Sequence, residues 1–183
     1  MPESSPRQFT RLTAGEPGPG VWALPPNGLC LSSFLLLSPA GRPGELLLGK
    51  IDPSAPWDRI GALDPVRVRN NTGGWMLPSC HLMFYEPPEA AARRILSEQL
   101  GIEGLPLPPP TVFSDTGPPR RHPDLGSHWD IGFLFRGTLP GGSPPTHPAW
   151  RELRFVDPAR TSRSEFTRSH DEVVERAGFR VRD

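Results

Sequence analysis

Apolar residues along this chain come in short blocks, and the blocks carry two different periods. Residues 29–38 (L-C-L-S-S-F-L-L-L-S) form an almost unbroken apolar run of strand length, which reads as a buried strand. Pro39, Gly41, Pro43 and Gly44 supply turn residues, and residues 45–51 (E-L-L-L-G-K-I) read as a second strand. The two predict a hairpin with a loop of several residues. Residues 128–139 alternate, with Trp129, Ile131, Phe133 and Phe135 on one face, and predict a strong strand. Shorter strands are predicted at 66–69, 111–114 and 150–156. Residues 52–74 otherwise read as irregular, and 105–110 (L-P-L-P-P-P) as a stiff connector.

The period becomes helical over residues 87–100. Proline is tolerated in a first turn and an acid there complements the helix dipole, so Pro87-Pro88-Glu89 is a good opening. Ala92, Leu96 and Leu100 recur at i, i+4 and i+8 as a core-facing stripe, and Gly101 is a natural stop. Residues 169–177 predict a closing helix with Val173 and Val174 inward. Strands on both sides of one helix, followed by a terminal helix, predict a mixed sheet flanked by helices.

Composition narrows the picture. A length of 183 residues suits one domain, expected at 21–183, behind a flexible arm over residues 1–20. That arm is polar, rich in Pro and Gly, and shows no apolar signal region. With 26 prolines and 19 glycines, elements must be short and loops long. Lys+Arg and Asp+Glu are both 20, so no global field draws in nucleic acid or an anionic membrane. The most apolar run is too short to span a bilayer. Cys30 and Cys80 have no metal spacing and make no disulfide framework, so they read as reduced thiols in a cytoplasmic protein.

The candidate chemistry lies between Trp75 and Ile102. Trp75, Leu77, Pro78, His81 and Leu82 lead into Glu86; Arg94 follows with seven residues between; Leu96, Glu98, Gly101 and Ile102 close the pattern. In spacing this resembles the Nudix box, G-x5-E-x7-R-E-U-x-E-E-x-G-U with U a bulky aliphatic residue, and its W-x-L-P-G-G lead-in. The resemblance covers residues 25–178 and implies a Nudix-type α/β/α sandwich with a mixed β-sheet. The box is degenerate. Ser79 and Cys80 stand where two glycines are usual, Tyr85 where a third is common, Ile95 replaces the glutamate after the arginine, and Gln99 replaces the second of the paired glutamates.

The resemblance implies cleavage of a diphosphate linked to another group, with Mg²⁺ or Mn²⁺ as cofactor. Hard cations need several anionic oxygens, and they lower the pKa of the attacking water. On a helix, positions 94, 95, 98 and 99 are expected to share a face. Here that face carries Glu98 as the remaining carboxylate and catalytic candidate, with Gln99 as a neutral candidate ligand. Glu86 and Arg94 are expected to brace the loop against the helix. His81 is expected in a loop, bonded to backbone. Asp115, Asp124 and Asp130 are candidate replacement ligands. Cys80 and His81 are neighbours, but adjacent strand residues point to different faces, which argues against a nucleophile–base pair. Three functions stay open: a pseudoenzyme that binds a nucleotide or other phosphorylated metabolite with weak or no standard hydrolysis; an active Mg²⁺-dependent hydrolase with replacement ligands; and a protein-interaction module in which Ile95 extends an apolar surface. The partner implied is a small phosphorylated molecule, with no nucleic acid and no membrane, and a homodimer is a common state in the family.

Overall fold

The computed structural model describes residues 7–9, 11–12, 28–117 and 128–183. In chain order their elements are β1 (Arg11–Leu12), β2 (Leu29–Pro39), β3 (Leu46–Ile51), α1 (Trp57–Ile60), α2 (Pro65–Asn70), β4 (Ser79–His81), α3 (Pro88–Leu100), β5 (Thr111–Gly117), β6 (His128–Leu139), β7 (Trp150–Val156) and α4 (His170–Arg176). Among these residues no helix is long and apolar enough to cross a membrane.

Strand β2 is the spine of a mixed five-stranded sheet. β6 runs parallel to it from Leu29↔Trp129 to Pro39↔Leu139. β5 pairs antiparallel with the far edge of β6. β1 and β4 both pair antiparallel with β2, at Leu29–Cys30 and Ser32–Phe34, and so share its other edge. The predicted hairpin between the first two long strands does not form. β3 pairs with β7 in a separate two-stranded sheet and is tied by Gly49 to Met76 through two backbone bonds of 2.9 and 3.0 Å. Gly49 is needed there, because a Cβ would lie 2.2 Å from the Trp150 ring. That ring packs edge-on against Trp57 at 4.9 Å.

Alternation along β2 makes two cores. Leu35 and Leu37 face α3 with Ala92, Ile95, Leu96, Leu100 and Phe135. Phe34 and Leu36 face the other layer with Trp75, Leu77, Leu134, Phe166, Val173 and Val174. The sheet is therefore sandwiched between α3 and α4, as the sequence predicted. Residues 66–69, predicted as a strand, lie instead in α2. Asp64 caps that helix by accepting from the N–H groups of Val66 and Arg67, and Pro65 presets its first turn. Helix α3 ends as expected, with Gly101 left-handed at φ 65° and its N–H bonded to the Leu96 and Ser97 carbonyls.

Within residues 1–20, expected as a flexible arm, the described positions are docked. The Phe84 N–H donates to the Gln8 carbonyl at 3.0 Å, Phe9 bridges to Met83, and β1 joins the sheet.

Candidate functional site

The stretch from β4 into α3 is held by one ion pair. Arg94 donates from Nε and Nη2 to the two carboxylate oxygens of Glu86, both at 2.8 Å, and the Met83 N–H donates to Glu86 Oε2 at 2.8 Å. Both side chains are over nine-tenths buried, at 9% and 8% exposure. Burial alone would raise the Glu86 carboxyl, but the bonds from Arg94 and Met83 outweigh it and hold the pKa below the usual carboxylate range. Arg94 also donates to the His81 carbonyl at 3.1 Å and to Cys80 Sγ at 3.4 Å. Between them these bonds hold the loop over residues 80–86 against α3. Its tip is Tyr85, fully exposed and left-handed at φ 60°, which fits a position where the resembled motif favours glycine.

Cys80 and His81 diverge. Cys80 lies in the α3-side core, and burial pushes its thiol up despite the nearby Arg94. His81 Nδ1 lies 3.0 Å from Ser32 Oγ. Cys80 is thus a protonated thiol turned away from the imidazole, a poor nucleophile.

The expected shared face of α3 divides in two. Ile95 and Gln99 are completely buried, at 0% exposure each, whereas Arg94 and Glu98 lie at the margin of the helix. The reason is angular. At about 100° per residue, Gln99 falls about 20° from Ala92 and inside the apolar arc, whereas Glu98 falls about 120° away. Ile95 therefore extends no exposed apolar surface. Gln99 does not turn outward as a ligand would: its Nε2 donates to the Ile60 and Ser79 carbonyls at 2.7 and 2.9 Å. Its Oε1 is buried without a hydrogen-bond partner among the described residues.

Glu98 is engaged by a cation from the chain itself. Arg7 donates from Nη1 and Nη2 to the two Glu98 oxygens at 2.6 and 2.7 Å, and from Nη1 to the Arg59 carbonyl at 2.9 Å. The bonds that Arg7 donates to Glu98 raise its pKa further, against the effect of burial. Next to it, the Arg94 guanidinium lies 5.7 Å over the Phe9 ring. The pair spans 91 positions of sequence, so no local pattern announces Arg7.

The replacement ligands do not gather around Glu98. Asp115 and Asp130 face each other across β5 and β6. Cys30, the β2 partner of Asp130, lies two residues from Ser32 and four from Phe34 on the α4 side of β2, so the two aspartates share that side of the sheet. Asp115 is bonded to Arg176 of α4 at 2.8 Å. Asp124 lies outside the described residues. Sequence reasoning also missed His170, which is buried and accepts the Leu77 N–H at Nδ1, 2.8 Å away. Burial holds its pKa well below the ordinary histidine value, so it is neutral.

Mg²⁺ or Mn²⁺, implied by the resemblance, calls for several anionic oxygens together. Among the described residues no group of three or more His, Cys, Asp or Glu is placed to hold a metal. Glu98 carries a guanidinium and Gln99 is turned into the core. The described residues do not fit the multi-metal cluster that the resemblance implies.

Solved structures share this architecture. A MutT protein from Methanosarcina mazei Go1 is 16% identical at a TM-score of 0.53, over 82% of this chain and 95% of that one. The NUDIX domain of Shewanella oneidensis NrtR, in complex with ADP ribose, is 13% identical at 0.53, over 82% and 86%. A mutT/nudix family protein from Listeria innocua is 21% identical at 0.51, over 81% and 91%. No family model and no curated protein matches the chain in sequence. At these identities the likeness is one of architecture: the chain has the Nudix fold.

Proposed function

From the Nudix fold as premise, we propose that this protein binds a nucleotide or other small phosphorylated molecule and does not turn it over by metal-dependent hydrolysis. The observation that carries this reading is the fate of the three helix positions. Ile95 and Gln99 belong to the core, and Glu98 is closed by Arg7. A guanidinium on both oxygens of Glu98 supplies internally the positive charge that a divalent metal would bring, and does so through two charge-assisted bonds. The brace of Glu86 and Arg94 meanwhile keeps the loop and helix in place, so the architecture survives the loss of ligands. The ligand class is supported by the fold and by the ADP ribose bound to the structurally similar NrtR domain.

In this role the chain's own residues bind and orient. The β4 loop presents backbone near Arg94, and α3 fixes the loop. A hydrolase using replacement ligands finds less support, because Asp115 and Asp130 lie on the α4 side of the sheet. The test is a panel of nucleoside diphosphate derivatives incubated with Mg²⁺ or Mn²⁺, with phosphate release and ligand binding measured in parallel. Binding without release is the expected result. Metal-dependent release that disappears in Glu98→Ala overturns the proposal.

A further inference from the structure

Behind the β4 loop lies a second cation that the Glu86–Arg94 brace does not use. Arg168 immediately precedes the Ser169 cap of α4, and its Nη1 is sealed from solvent without a hydrogen-bond partner among the described residues. Buried guanidinium N–H groups are ordinarily paired, so one without a partner calls for an explanation, and a bound anion supplies one. The turn that aims this side chain is strained. Arg168 and Ser169 are both left-handed at φ 56°, a conformation that residues with a β-carbon adopt only when their surroundings impose it.

The surroundings do impose it. The Thr167 N–H donates to the Trp75 carbonyl at 3.0 Å, and the Thr167 hydroxyl bonds Asn71 Oδ1. On the other side His170 accepts the Leu77 N–H. Gly74 makes room, since a Cβ there would lie 2.7 Å from Thr167. The turn is therefore fastened to the strand that leads into β4.

Charges of both signs act on Arg168. Burial lowers its pKa to about 10, and the charge of Arg67 adds to the lowering; Cys80, Asp130 and Cys30 act the other way. The group remains a cation at neutral pH. Asp130 lies within electrostatic reach but does not bond Nη1. Cys80 bonds Arg94, and the charge of Arg168 also acts on its thiol.

We propose that Arg168 Nη1 anchors an anion site behind β4 that takes a phosphate or diphosphate group, with the guanidinium in place of a metal. The inference rests on the reading above that the ligand is phosphorylated, and it names the group that would hold the phosphate. Arg168 is mostly buried, and part of the residue reaches the surface.

The experiment is titration of the full chain with inorganic pyrophosphate in EDTA, by calorimetry. The wild type is expected to bind without metal. Arg168→Met is expected to lose at least about tenfold in affinity, and Arg168→Lys to keep part of it. Arginine side-chain NMR signals of the wild type, with that of Arg168 assigned by its absence from Arg168→Lys, provide a readout that survives misfolding of the methionine variant. The Arg168 signal should move on addition of pyrophosphate. No binding in EDTA, equal binding by a folded Arg168→Met, or an unmoved Arg168 signal overturns the site. A wild type that binds a phosphorylated nucleoside while the Arg168 signal stays still sinks the anchor and leaves the proposed function standing. Metal-dependent hydrolysis alongside an intact Arg168 response does the reverse.

Discussion

Rebuilding the consensus box should unfold this protein instead of activating it. In Gln99→Glu, the two donations from Nε2 to the Ile60 and Ser79 carbonyls are lost, and a carboxylate is turned on those same oxygens inside a fully buried site. An unsatisfied buried polar group costs about 1–3 kcal/mol. With the new carboxyl raised by about three pKa units on burial, holding it neutral at pH 7 adds about 3 kcal/mol. We expect a loss of about 5 kcal/mol, a large share of the ~5–15 kcal/mol by which domains are stable. Ile95→Glu removes a buried aliphatic side chain as well, about 2 kcal/mol before its own charge is counted. The double substitution should leave little folded protein. Urea unfolding followed by tryptophan fluorescence measures this directly, because Trp57 and Trp150 are buried in the α3-side core. Gln99→Met, which keeps the volume and buries no charge, should lose only about 2 kcal/mol. Lowering the pH should restore part of the stability of Gln99→Glu as the new carboxyl protonates. If Gln99→Glu stays within about 1 kcal/mol of wild type, beyond the scatter of surface substitutions, the burial argument for α3 fails.

Three further outcomes follow from the geometry. Removing either partner of the buried Glu86–Arg94 pair strands the other, so Glu86→Ala and Arg94→Ala should each lose about 3–5 kcal/mol, and the double variant much less than their sum; additivity in urea unfolding would show that the pair does not act as a unit. His170 titrates in the unfolded chain near its ordinary value of 6.5 but far lower in the fold. Its contribution is thus complete above about pH 6.5 and lost as pH falls, at up to about 1.4 kcal/mol per pH unit. His170→Gln should flatten that slope in thermal melts, and equal slopes would show that His170 does not set it. The half-buried Arg7–Glu98 pair should be worth about 1 kcal/mol or less, so Arg7→Ala melts slightly lower and speeds cleavage near residue 7 in limited proteolysis. Glu98→Ala should produce the same change with no further effect in the double variant, and unchanged cleavage in both would show that the pair does not dock the arm.

The parts of this fold that were legible in sequence are those with local causes. The apolar run of β2, the alternation of β6, the proline opening and glycine stop of α3, and Val173 and Val174 in α4 each follow from residues close together. Val66-Arg67-Val68-Arg69 misled because its period of two mimics a strand, while the cap that makes it helical sits outside the pattern, at Asp64. The partner of β3 depends on β7, a hundred positions away, and on Gly49 admitting Trp150. In the site, the resemblance implied that Glu86 and Arg94 brace the loop, and the structure pairs the two side chains. Ile95 and Gln99 were read as a damaged ligand face because spacing alone does not give the width of the buried arc. Arg7, Arg168 and His170 carried no signal, since each acts through a partner brought near only by the fold.

The central claim, that an internal guanidinium stands where a metal would bind, is tested most directly by Mn²⁺ titration of the wild-type chain followed by electron paramagnetic resonance. The account predicts that the free Mn²⁺ signal grows in step with added metal, with no stoichiometric binding to the protein. One or more Mn²⁺ ions bound tightly per chain, and released by Glu98→Ala, would contradict it.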